Sequence, residues 1–336
     1  MSDSDWNKVN FQDFIDEFSK KIIIDSSPNL LYSKKEKEHE ALNSLITFFF
    51  VTGGLFIFVS LSIIFRVAEV FLVLFIAIIT IAAIVDIVLV FIYLRSHVLI
   101  KPLENWVEVY KGESHGTNVY YCFTYYPIFS GKCHPNQAKN VLYKILQEEL
   151  FKSKIDITQI EVYLSLNAIN TKNFNILGYY FQYAEGSPFK EEKINRNSWK
   201  YFPIEKTINN NIIATANWDH QFEWKDDLEL DYDKLHNYAP WIIQKWDEFS
   251  IKPLTKAFKN DMRWELRGIE SQPKLKPWKS NFESTSYDNF KAYKDLQLMN
   301  DAIEKIIGKD IKIKKIKDIK KYILDFKAYL RDLKGQ

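Results

Sequence analysis

The stretch "ITIAAIVDIVLVFIYLRSH" (79–97) places one carboxylate, Asp86, inside a run that is otherwise apolar until Arg95. How this stretch is read decides the fold. From position 45 to position 94 the only charged residues are Arg66, Glu69 and Asp86. Segments 45–65 and 70–94 are each long enough to cross a hydrocarbon core of ~30 Å as a helix, which takes about 20 residues. Four residues (66–69, "RVAE") join them, so the two spans are expected to form an antiparallel transmembrane hairpin. Lys34, Lys35 and Lys37 precede the first span, and Arg95 and Lys101 follow the second. By the positive-inside rule this flanking charge predicts an integral membrane protein with both termini and the main domain in the cytoplasm.

Asp86 then falls roughly 13 Å from Arg95, near the bilayer midplane. A carboxylate there costs about 2.5–3.5 kcal/mol, which many aliphatic residues at ~0.3–0.6 kcal/mol each offset. Folding the hairpin about its turn sets Asp86 opposite Thr52, beside Gly53 and Gly54. Two readings follow. A protonated Asp86 bonded to Thr52 would fasten the hairpin, at about 1 kcal/mol. Alternatively Asp86 and Thr52 form an intramembrane polar site, used for contact between hairpins or for ions.

The flanking regions read differently. Residues 7–24 place Phe11, Phe14, Ile15, Phe18 and Ile22 at helical spacing, predicting an amphipathic helix within an N-terminal region 1–42. After the hairpin region 43–96 comes an α+β domain over 97–300, then a C-terminal helix over 301–336. In that helix Ile316, Ile319, Ile323, Phe326, Leu330 and Leu333 alternate by three and four, a heptad seam suited to self-association or a partner helix. Ten Lys or Arg against four Asp between 309 and 336 give this tail +6. The expected fold class is thus a membrane-anchored α+β protein. It combines a two-helix transmembrane hairpin, a mostly antiparallel cytoplasmic sheet with packed helices, and a C-terminal amphipathic helix.

Within 97–300, the alternation of Ile160, Val162, Leu164 and Leu166 with Glu161, Tyr163, Ser165 and Asn167 predicts a strand buried on one face. Segments 118–126, 175–183 and 212–218 are further strand candidates, and 136–151, 240–249 and 253–266 are helix candidates. His115, Cys122, Cys133 and His134 have metal-capable composition but no standard zinc spacing. The run "DDLELDYD" puts Asp227, Glu229, Asp231 and Asp233 on one face if extended, a weak divalent-metal candidate. Trp218, Trp224, Trp241, Trp246, Trp264 and Trp278 crowd the later half and are read as core.

Composition excludes several classes. Two cysteines make no disulfide framework, and the polar first forty residues give no apolar core for a cleavable signal. The ten glycines form no phosphate-cradling loop, and no protease, hydrolase or kinase motif is present. No cofactor is indicated, no catalytic residue is assigned, and the net charge of +2 gives no reason to expect nucleic acid. Enzymatic activity is left open, with the balance against it. The leading expectation is a two-span membrane protein whose cytoplasmic domain binds an unidentified ligand or partner and acts through oligomerisation. A passive anchor or scaffold for protein partners is the alternative, and a membrane-bound metal-dependent enzyme the third choice. The expected partners are the lipid bilayer, a second copy or another protein, and a small molecule.

Overall fold

The computed structural model describes residues 6–34, 36–39, 52–53, 57, 77–78, 80–88, 97–135, 140, 155–167, 174–184, 199–204, 212–216, 218–225, 241–261 and 275–276. The chain divides into two compact units, one of residues 35–100 and one holding the rest. The larger unit is built on a mostly antiparallel sheet. Strands β1 (Asn7–Val9), β5 (Pro102–His115), β6 (Asn118–Phe129), β8 (Ile160–Asn167), β9 (Phe174–Gln182) and β10 (Trp199–Pro203) run in that spatial order. Strand β7 (Asp156–Ile157) extends the sheet beside β6, and β14 (Ile251–Pro253) pairs with β5. A second sheet has the order β12 (Phe222–Lys225), β11 (Ile212–Thr215), β2 (Asn29–Ser33), β13 (Trp241–Gln244).

The aromatic-rich strands sit where both faces are covered, and that explains their composition. On one face Tyr121, Phe123 and Tyr125 of β6 meet two short helices, α1 (Phe11–Glu17) and α2 (Lys20–Ser26). The Phe14 ring packs edge-on to Tyr121 and Phe123, with centroids 5.3 and 5.2 Å away. The Tyr125 hydroxyl donates to the Ile23 carbonyl at 2.6 Å, so the one polar atom of that buried ring is satisfied by the end of α2. On the other face Cys122, Tyr163, Tyr180 and Tyr201 form a cluster with Trp6 and Leu275. Gly178 belongs to this face for a steric reason. A Cβ there would overlap the Tyr201 ring and the Phe202 carbonyl.

Several sequence expectations are corrected here. The 7–24 segment is not one helix: it opens as β1, and α1 and α2 are separate, each with its own cap. The Asn10 side chain accepts from Gln12 N, and the Ser19 hydroxyl from Lys21 N. Strand β8 is buried on both faces, Glu161 included, and the face expected to meet solvent is covered beside Tyr163 by Trp6, Tyr201 and Leu275. Part of the 240–249 helix candidate is β13. The 253–266 candidate is helical over α3 (Lys256–Asp261), and most of 136–151 lies outside the described residues.

The largest correction concerns the membrane. No helix among the described residues is long and apolar enough to cross one. The described helical positions in the smaller unit are 52–53, 57, 77–78 and 80–88, with Ile81, Ile84 and Ile87 exposed; most of 45–65 and 70–94 lies outside the described residues. The expected two-helix transmembrane hairpin and membrane-anchored fold class are therefore not supported. Neither are the integral membrane localisation with cytoplasmic termini, the coupled two-span binding protein, the passive anchor or the membrane-bound enzyme. Hydropathy reports how a stretch would partition if it formed one uninterrupted helix; it does not establish that helix. What the structure describes at the ends of this unit is a short antiparallel pair, β3 (Lys37–His39) with β4 (His97–Leu99).

Candidate functional site

Two buried polar groupings stand out in the larger unit. The first is a row across the main sheet. Glu108 pairs with Thr124, and Thr124 with Glu161, so the three side chains share one face on adjacent strands β5, β6 and β8. The two glutamates are separated by two strand spacings, about 10 Å between Cα atoms. Both are buried. The Glu108 Oε2 accepts from the Tyr110 hydroxyl at 3.0 Å and from the Tyr126 hydroxyl at 2.9 Å. Its Oε1 is ion-paired with the Lys8 ammonium of β1. Glu161 accepts from the Gln159 side-chain amide at 2.9 Å and from the Tyr163 hydroxyl.

The tyrosines are held in the donor state. Burial pushes the Tyr110 and Tyr126 hydroxyls far above their ordinary value of 10.0, and the nearby Glu108 charge pushes them further. Neutral hydroxyls therefore point their protons at Glu108, and a carboxylate is an acceptor only. What completes the site is a cation, which Lys8 supplies from outside: its side chain is 51% exposed while that of Glu108 is 1% exposed. Rings line the same face. Trp6 lies edge-on to Tyr163 at 6.0 Å, and its Nε1 donates to the Leu275 carbonyl at 2.9 Å; the Leu275 amide in turn donates to the Tyr163 hydroxyl at 2.9 Å.

The second grouping lies past the end of β6. Lys132 donates to Asp156 at 2.9 Å and is ion-paired with Asp219. His220 Nδ1 lies 2.7 Å from the other Asp156 oxygen. All four side chains are between 0 and 9% exposed. Burial would raise the Asp156 carboxyl, but the Lys132 charge and the His220 hydrogen bond outweigh it and hold the group below the ordinary 3.8. His220 adopts a left-handed backbone (φ 52°) in the β11–β12 turn, a conformation costing about 1–3 kcal/mol for a residue with a side chain. Its ring stacks on Phe129 at 4.0 Å. This cluster ties β6 and β7 of the main sheet to the turn of the second sheet.

Of the residues singled out in the sequence the structure describes only some. Asp86 is half-buried with Oδ1 unpartnered among the described residues, and no described hydrogen bond joins it to Thr52. Asp227, Glu229, Asp231 and Asp233 lie outside the described residues, as do Ile316, Ile319, Ile323, Phe326, Leu330 and Leu333. His115 sits at the tip of the β5–β6 hairpin 3.5 Å from Glu113, Cys122 is in the middle of β6, and Cys133 and His134 lie beyond its far end. No metal-holding group of three or more such residues occurs among the described residues. Trp218 and Trp246 are buried and Trp224 is half-buried; Trp264 and Trp278 lie outside the described residues.

Neither polar grouping is visible as a motif. Their members come from segments that meet only in the folded chain, Lys8 and Glu108 through pairing of β1 with β5 and Asp156 and His220 through packing of one sheet against the turn of the other. Glu161 carried one usable signal, an acid inside a strongly apolar strand, but alternation assigned it to a solvent face. No protein-family model matches this chain, and no curated protein or solved structure does either.

Proposed function

We propose that the chain is a binding protein that takes an ammonium group at Glu108. The observation that carries this reading is the Lys8 ammonium itself, which meets a buried, tyrosine-held carboxylate while half of its own side chain remains in solvent. Two hydroxyl protons fix one carboxylate oxygen and leave the other for a charge-assisted bond. The aromatic surroundings favour an organic cation, whose alkyl part packs on rings while its charged end meets the carboxylate. A ligand amine would take the position that Lys8 occupies.

The test is calorimetric titration of the full chain with 1,5-diaminopentane. A ligand this small with one anchoring ion pair is expected to bind in the millimolar range, about 4 kcal/mol. Wild type and Lys8→Ala should both bind it, and Glu108→Gln should bind at least tenfold more weakly. Equal binding by Glu108→Gln, or none by wild type and Lys8→Ala, would overturn the reading.

A further inference from the structure

We infer that the natural partner is an extended peptide strand with an aromatic-x-lysine pattern, which replaces β1 on the edge of β5; this rests on the ammonium-binding reading of Glu108. The segment 6–9 already has that form. Trp6 and Lys8 are two residues apart and so project to one side of an extended chain. Trp6 is buried among Cys122, Tyr163, Tyr180 and Tyr201, while Lys8 reaches Glu108. The backbone supplies the remaining contacts, with Asn7, Lys8 and Val9 opposite Lys111, Tyr110 and Val109.

Three features make this an exchangeable occupant. β1 has three residues, and Asn7 and Lys8 are exposed. Among the described residues it forms the outer edge of the sheet at this level, since β6 takes the opposite side of β5 and β14 pairs only with Asn105–Val107. Its pairings with β5 are few, so opening turns mainly on withdrawing the buried Trp6 ring, and an incoming aromatic refills that socket. When β1 leaves, β5 offers unpaired backbone groups for strand addition, an aromatic socket where Trp6 sat and a carboxylate two residues along. β1 is thus an internal competitor that sets how strongly an outside strand must bind.

The probe is the peptide Trp-Asn-Lys-Val-amide carrying fluorescein on its N-terminal nitrogen, with a control carrying Glu in place of Lys. Full-length Lys8→Ala should bind the probe more tightly than wild type does, by up to about fivefold, and should not bind the control. Saturating probe should also remove the hydrogen-exchange protection of the Val9 amide, which faces β5, in the wild-type chain, a readout that needs no variant. Equal affinity for probe and control, no gain in Lys8→Ala, or unchanged protection at saturation would overturn strand replacement. Titration of the same samples with 1,5-diaminopentane separates the two failures. Glu108-dependent diamine binding without the peptide effects rejects strand replacement alone, and loss of both rejects the ammonium site as well.

Discussion

The two buried ionic regions of this protein solve one problem in different ways. Around Asp156 both signs of charge are interior: Lys132, His220, Asp156 and Asp219 are all buried. Around Glu108 the anion and its hydroxyl donors are interior, but the cation arrives from a three-residue edge strand and stays half in water. A counter-charge locked inside serves as a fastening. A counter-charge that can leave marks a place where another cation can enter. Burial of a carboxylate alone does not separate these roles; the exposure of its partner does.

The comparison breaks most visibly on stability. Lys132→Met leaves two buried carboxylates without their shared cation and should destabilise the fold by about 3–5 kcal/mol in urea denaturation. Acid should act through the same cluster. The Asp156 carboxyl is held below its ordinary 3.8, so its contribution is present above that value and lost as pH falls through the lower folded value. With Lys132→Met the acid limb of a stability–pH curve should move to higher pH, because the charge that holds Asp156 down is gone. Glu108→Gln should cost less, about 1–3 kcal/mol, since the amide oxygen still accepts from Tyr110 or Tyr126. Lys8→Ala should cost under ~1 kcal/mol, because an ion pair with a half-exposed lysine is largely screened. If Lys8→Ala proved as damaging as Lys132→Met, the distinction between the two regions would collapse.

Much of the main sheet was legible in the sequence, for physical reasons. Aromatic runs mark β6 and β9, and period-two alternation marks β8, since a buried pleat selects such residues. Other elements were hidden. β5, the longest strand among the described residues, mixes Glu104, Glu108, Lys111 and Glu113 with its apolar residues, and only the neighbours it acquires make Glu108 an interior group. The 7–24 pattern satisfied a helix, yet Ser19 caps a second helix and β5 captures residues 7–9, outcomes set by tertiary pairing. The apolar block at 45–94 outweighed these signals and drew the reading to a membrane hairpin that the structure does not support. The candidate site stayed out of sight because its parts are far apart in the chain: Lys8 and Glu108 are separated by 100 positions, and Asp156 and His220 by 64.

The most direct test uses nitrogen NMR of the full chain labelled at lysine side chains, with 1,5-diaminopentane added stepwise. The Lys8 ammonium signal should shift as the diamine takes its place at Glu108, while the Lys132 signal stays fixed between Asp156 and Asp219. A Lys8 signal that does not move at saturating diamine, or that moves no more than that of Lys132, would contradict the claim that one counter-charge is exchangeable and the other is not.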